Sequence, residues 1–142
     1  MTNLLFYDKP VALDKTAHQN LRVNSASDRF GFARKTNSVV LAGIEFSEVA
    51  KEYPIVFAKS GNAIVSLALL GLRHGENLFV DADGHWSGRY IPGFVRRYPF
   101  VLAETGEGGQ RAVCIDEGYP GFDQTEGEPL FIAGEPAPVL TQ

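Results

Sequence analysis

The chain has 142 residues, 44% of them apolar and 21% charged, with a net charge of −4. That length is one domain's worth and enough to bury a core, and the composition lies far from that of a disordered chain. The small acidic excess argues against nucleic acid as the main partner, and the lone Cys114 excludes an internal disulfide and a cysteine-rich metal site.

Residues 1–29 read as an extended N-terminal segment, broken by Pro10 and by the polar run Asn24 to Asp28. It leads into Phe30 to Ala33 and a turn at Lys35 to Ser38. Ser38 to Ala42 is a short β-type run. Glu45 to Glu52 places Phe46, Val49 and Ala50 at helical spacing with one face inward. Pro54 ends that helix, because the residue before a proline is pushed out of the α region. Ile55 to Phe57 then reads as a strand, Ser60 to Asn62 as a turn, and Ala63 to Leu70 as the antiparallel return.

After a turn at Arg73 to Glu76, Asn77 to Asp81 and His85 to Tyr90 are expected to pair about Asp83-Gly84, both of which tolerate positive φ. The middle of the chain is thus expected to be a meander of three or four strands. Pro92 should open a second short helix with Phe94 and Val95 inward. Tyr98-Pro99 closes it, and Phe100 to Ala103 is the next strand. Glu104 to Gly109 reads as a glycine-rich turn and Arg111 to Ile115 as its return strand. Leu130 to Ile132 is a last β-type run before an exposed, proline-rich end at 134–142.

One local pattern occurs twice, about forty-five residues apart. Phe46 to Ala58, which contains Tyr53-Pro54, is answered by Ile91 to Ala103, which contains Tyr98-Pro99. Each copy runs from a helix-like stretch through Tyr-Pro into an apolar strand. The pattern suggests an internal duplication, two helix–strand–turn–strand units sharing one sheet. Coincidence is the alternative, since Tyr-Pro before β-branched residues is a common way to start a strand. The expected fold class is α+β, a mostly antiparallel sheet of hairpins with two short helices, in a single domain spanning 30–133.

Charge is unevenly spread. Residues 101–142 carry eight acids against one base, Arg111, whereas residues 1–100 carry nine acids and twelve bases. A solvated surface is the simplest reading of the acidic stretch, with an acidic docking face or a cation site as alternatives. Met1 to Asp8 lacks a basic start followed by a sustained apolar run, so no cleaved secretory leader is visible. That leaves a cytoplasmic location, or export by a route without a cleaved N-terminal signal. The longest apolar stretch, Ala63 to Leu72, is too short to cross a bilayer.

Tyr53-Pro-Ile-Val-Phe57, Leu69-Leu-Gly-Leu-Arg73, Glu76 to Asp81, and Gly88-Arg-Tyr-Ile-Pro92 through Val95 to Leu102 form an ordered series. With Cys114-Ile-Asp116 and Gly127-Glu-Pro-Leu-Phe131, that series resembles the SapC family from about Phe32 to the end of the chain. The resemblance implies a bacterial protein, a family association with a paracrystalline surface layer, and no established catalytic residues. Members of the family are usually longer, so the chain looks like their N-terminal part. A membrane permease for peptides that bears the same name is excluded by the lack of a spanning segment.

The resemblance implies a non-catalytic binding or scaffolding protein of surface-layer or cell-envelope assembly, with no cofactor. Its expected partners are a protein, an acidic peptide or a glycan, with no nucleic acid and no membrane span. A missing C-terminal half would leave an exposed apolar patch and favour a homo-oligomer. The alternative is a small enzyme, or an accessory subunit of one, using a cation held by acidic turn residues.

Three constellations carry candidate chemistry. Arg89, Arg96 and Arg97 with Trp86, Tyr90 and Tyr98 form the densest cationic and aromatic patch. Arginine forks bind carboxylates or phosphates in bidentate fashion and stack on rings, so these six are the candidate ligand-binding residues, with Arg89, Arg97 and Trp86 lining a groove. The plainer reading makes Arg96 and Arg97 the solvated face of a helix, paired with the acidic tail.

His74, Glu76, Asp81, Asp83 and His85 are candidate metal ligands should they converge at one end of the meander. Asp81-Ala-Asp83-Gly84 has the alternating oxygens of a calcium loop, but His85 and Pro92 stand where that loop needs an oxygen ligand and a glutamate. A hairpin turn is the plainer reading. Cys114 reads as a buried small apolar residue, His18 has no local partner, and Gly106 to Gly109 lacks the Lys and Ser/Thr of a phosphate loop.

Overall fold

A computed structural model describes residues 5–24, 29–104 and 108–141. The break expected at 24–28 and the turn expected at 104–109 lie partly outside the described residues. The described strands, in chain order, are β1 (Pro10–Ala12), β2 (Arg22–Val23), β3 (Ser38–Val40), β4 (Ile55–Ser60), β5 (Ala63–Leu69), β6 (Phe100–Glu104), β7 (Arg111–Asp116), β8 (Phe122–Asp123), β9 (Glu128–Pro129), β10 (Phe131–Ile132) and β11 (Glu135–Pro136). Two one-turn helices, α1 (Phe46–Val49) and α2 (Gly93–Arg96), precede β4 and β6. Every strand pair is antiparallel. The fold is therefore α+β and mostly β, as the sequence predicts. Backbone contacts divide the chain into two units, one of Met1–Phe6 and Ser27–Tyr98, the other of Tyr7–Ala26 and Pro99–Gln142.

The first unit is built on a sheet in the order β3-β5-β4. Ser60 pairs with Ala63, so Gly61 and Asn62 alone make the hairpin loop. Gly61 takes φ 60°, the left-handed value that a two-residue loop of II′ type asks of its first position. Val39 and Ala68 are opposite each other in the β3–β5 register and both are buried. They join Val49, Leu70 and Val95 in a core where each side chain of this size contributes about 1.5–3 kcal/mol on burial. Phe6 meets Phe32 and Phe94 at 5.1 and 5.5 Å, and Phe32 stacks on Tyr98 at 4.0 Å.

The corner between α1 and β4 follows from Tyr53-Pro54. The Tyr53 N–H still donates to Val49 O at 2.8 Å. Pro54 has no N–H to offer the next turn, and the chain extends into β4 at Ile55. Tyr98-Pro99 does the same between α2 and β6, with the Tyr98 N–H on Val95 O at 3.2 Å.

Four expectations are corrected. The two helix–strand–turn–strand stretches do not share a sheet, because β4 and β5 lie in a sheet completed by β3 whereas β6 and β7 lie in one completed by β1. Ala50 faces solvent, leaving Val49 as the buried residue of α1. Pro92 caps α2 from an extended conformation, φ −52° and ψ 138°, one position before the helix.

The fourth correction concerns residues 77–90, where the expected strands reduce to a single bridge between Val80 and Trp86. The cause is competition from side chains. Asn77 Oδ1 takes the Phe79 N–H, Asp81 Oδ1 takes those of Asp83 and His85, and the carboxylates of Glu52 and Glu45, earlier in the chain, take those of Arg89, Tyr90 and Gly93.

The second unit holds a sheet in the order β1-β7-β6, a smaller one in the order β8-β2-β9, and the pair β10-β11. Ile115 and Leu130 are fully buried and Cys114 is buried beside Ile115, the small apolar role read for it. The one charged core residue among those described, Asp116, is 1% exposed. Its carboxylate accepts the N–H groups of Asp8, Lys9 and Gly118 at 3.1, 2.8 and 3.3 Å, which satisfies a charge that would otherwise be costly to bury. At the far end Ala137 is buried and its N–H bonds to Leu130 O.

Candidate functional site

The candidate site lies in the first unit, on the segment from Trp86 to Tyr98 and the turns that hold it. Two glutamates that flank α1 clamp this segment. Glu52 accepts the backbone N–H groups of Arg89 and Tyr90 at 2.9 Å each. Glu45 accepts the Gly93 N–H at 2.7 Å, the Tyr90 hydroxyl at 2.9 Å and the Ala42 N–H at 3.0 Å.

Both carboxyls are held below their ordinary value. In Glu52 the Tyr90 N–H and then the Arg89 N–H lower it. In Glu45 burial pushes the other way, but the Gly93 and Ala42 N–H groups, the Tyr90 hydroxyl and Arg96 outweigh it. Hydrogen bonds to the charged form win in both.

Tyr53 is the centre of the frame. It is 3% exposed, its ring lies 4.5 Å from that of Phe79, and its hydroxyl donates to Tyr90 O. The same oxygen accepts the indole N–H of Trp86 at 2.9 Å. Trp86 is also stacked on Phe79 at 5.9 Å and set edge-on to Phe30 at 5.8 Å. Gly88 makes this approach feasible, because a Cβ there would overlap the Tyr53 hydroxyl and lie 3.0 Å from the indole nitrogen. Burial raises both Tyr53 and Tyr90 above the ordinary phenol value, with the Glu45 hydrogen bond adding to Tyr90. Both phenols are therefore protonated donors at neutral pH.

The arginines remain at the surface. Arg89, Arg96 and Arg97 are all exposed, and among the described residues no ion pair involves them. Arg96 lies over the Tyr90 ring at 5.6 Å and Arg97 over the Phe94 ring at 4.2 Å. Such stacking orders a guanidinium. Arg96 also interacts with the Tyr90 hydroxyl and the Glu45 carboxylate, whereas Arg97 has no such interaction among the described residues. Of the six predicted residues, then, three present charge. Trp86, Tyr90 and Tyr98 are half-buried ring supports.

The candidate metal ligands are brought together only in part. Asp81, Asp83 and His85 each place a ligand atom within 4.8 Å of the others, all exposed. His74 and Glu76 stay outside that group; Glu76 instead accepts the Leu72 and Arg73 N–H groups at 3.1 and 3.2 Å. Asp81 Oδ1 is occupied by its own turn, and its Oδ2 lies 3.5 Å from His85 Nδ1. The three residues lie on the turn that the Val80–Trp86 bridge closes. Gly84 takes φ 79°, while Asp83 keeps a negative φ.

Neither Glu45 nor Glu52 was legible as a site residue, because their targets lie 37 to 48 positions away. Tyr53 was visible as a corner but not as a hydrogen-bonding centre. His18, read as having no local partner, in fact accepts the Asp14 N–H on Nδ1 at 2.9 Å, and it lies 3.8 Å from Glu117, a contact across the second unit that no spacing rule reveals.

An antiparallel α+β protein with an arginine-bearing segment clamped on an aromatic frame is the class that fold and site define. The family model for SapC matches residues 13–142, nearly the whole chain, and the chain belongs to the SapC family. No curated protein and no solved structure matches it. No helix among the described residues is long and apolar enough to cross a membrane.

Proposed function

We propose that this protein is a non-catalytic binding or scaffolding module that docks an acidic peptide or glycan through Arg89, Arg96 and Arg97. One observation carries the reading. The carboxylates Glu45 and Glu52 and the phenols Tyr53 and Tyr90 are engaged in internal hydrogen bonds, while all three arginines are exposed and those at 96 and 97 are ordered on rings. A frame whose carboxylates and phenols are so engaged is suited to holding an anion rather than transforming it. Membership of the SapC family supports placing that docking in surface-layer or cell-envelope assembly.

The test is binding of a polyglutamate peptide to the full chain. Arg89→Ala combined with Arg97→Ala should weaken it by about tenfold or more, and added salt should weaken it further. Binding unchanged by the double substitution would remove the docking face. Metal analysis separates this reading from a cation-dependent enzyme: stoichiometric metal, lost on Asp81→Ala, would favour the enzyme.

Self-association is supported by a different feature. Phe57 and Ile64 are 65% and 72% exposed. The β4–β5 register, with Phe57 opposite Ser66 and Lys59 opposite Ile64, puts them on one face beside the free edge of β4.

A further inference from the structure

The second unit holds a cleft of about 430 Å³, within the range of small-ligand sites. Its walls include Lys9, His18, Gln19, Asn20, Glu117, Phe122 and Gln124. The supports of this cleft are fixed. Asp14 Oδ1 accepts the Thr16 and Ala17 N–H groups at 2.8 and 2.7 Å, and the Asp14 N–H donates to His18 Nδ1 at 2.9 Å. A neutral imidazole whose Nδ1 accepts carries its proton on Nε2. On the opposite wall Lys9 Nζ meets Glu117 at 2.6 Å, and the buried Asp116 anchors the backbone of Lys9 and Gly118 on either side.

His18 Nε2 and Glu117 Oε1 face each other at 3.8 Å, too far for a direct hydrogen bond. A donor and an acceptor at that separation suit a hydroxyl seated between them, which accepts from Nε2–H and donates to the carboxylate. The Lys9 charge cancels that of Glu117, so the cleft favours neither an anion nor a cation. Three of the lining residues, Gln19, Asn20 and Gln124, carry a carboxamide, which is both donor and acceptor, and a fourth, Phe122, carries an aromatic ring. Paired donors and acceptors, no net charge and one ring are the chemistry that recognises a polyhydroxylated ring.

We propose that this cleft is a saccharide site, in which His18 and Glu117 share one sugar hydroxyl and the three carboxamides take others. It is independent of the arginine face. The test is NMR of the isotopically labelled full chain, titrated separately with maltose, cellobiose and N,N′-diacetylchitobiose at up to tens of millimolar. At least one disaccharide should shift the side-chain amide signals of Gln19, Asn20 and Gln124 saturably.

His18→Ala and Glu117→Gln should each weaken that binding by about tenfold, and Gln124→Ala, at an exposed position, should weaken it with the fold intact. Arg89→Ala with Arg97→Ala should leave it unchanged, so failure of the docking face and failure of the cleft are told apart. No saturable shift with any of the three sugars, or shifts indifferent to all three cleft substitutions, would overturn the proposal.

Discussion

Tyr53 joins three parts of the first unit through one oxygen, and its loss should be felt as stability. Tyr53→Phe keeps the ring against Phe79 but leaves the Trp86 indole N–H and the Tyr90 carbonyl without their partner. The cost expected for two half-buried polar groups is about 1–3 kcal/mol. Urea unfolding should therefore show a lower midpoint with an unchanged slope; an unchanged midpoint would mean that the hydroxyl is not the centre of the frame.

Acid should loosen the same frame. Glu45 and Glu52 have folded values below the ordinary 4.5, so their contribution is fully present above that value and is lost as pH falls through the lower folded values. Trp86 is the single tryptophan and reports the change. Its emission should be flat from about pH 8 to about pH 5.5 and shift only below about pH 4.5. A transition near neutrality would point to another group. The residue types at these positions were plain in the sequence, but the roles of Trp86 and Tyr90 as supports were not. Proximity of aromatic and basic residues along a chain does not say which side chain is held and which is free.

At the scale of elements, the Tyr-Pro corners were the most legible feature, because proline acts on its immediate neighbours. Both helices, β4 to β7 and the Gly61 loop follow from such local rules. Residues 77–93 were less legible, since Asn77 and Asp81 take nearby N–H groups and Glu52 and Glu45, distant in sequence, take those of Arg89, Tyr90 and Gly93. Gly88 is the place to test that account. Gly88→Ala should force the Tyr53 hydroxyl aside, shift Trp86 emission and cost about 1–3 kcal/mol. Gly43→Ala, with nothing within 4 Å of the added carbon, should do neither. Equal effects of the two substitutions would refute the close-packing argument. The single shared sheet failed for a related reason: β3 and β1 complete the two sheets, and neither belongs to the repeated pattern.

For the whole molecule, the sequence carried the α+β class and the family, while the division into two units and the cleft around His18 depend on pairings between distant segments. Sedimentation at rising concentration should reveal self-association, reduced by Phe57→Ser with Ile64→Ser; a monomer at every concentration would contradict it. The central claim is that the arginines between Arg89 and Arg97 are the surface that meets an acidic partner. Its most direct test follows the guanidinium Nε–Hε signals of every arginine by NMR while a polyglutamate peptide is added. Saturable shifts at Arg89, Arg96 and Arg97 are predicted, with little change at Arg22, Arg73 and Arg111. Binding that leaves those three signals in place, or that moves all arginines alike, would contradict it.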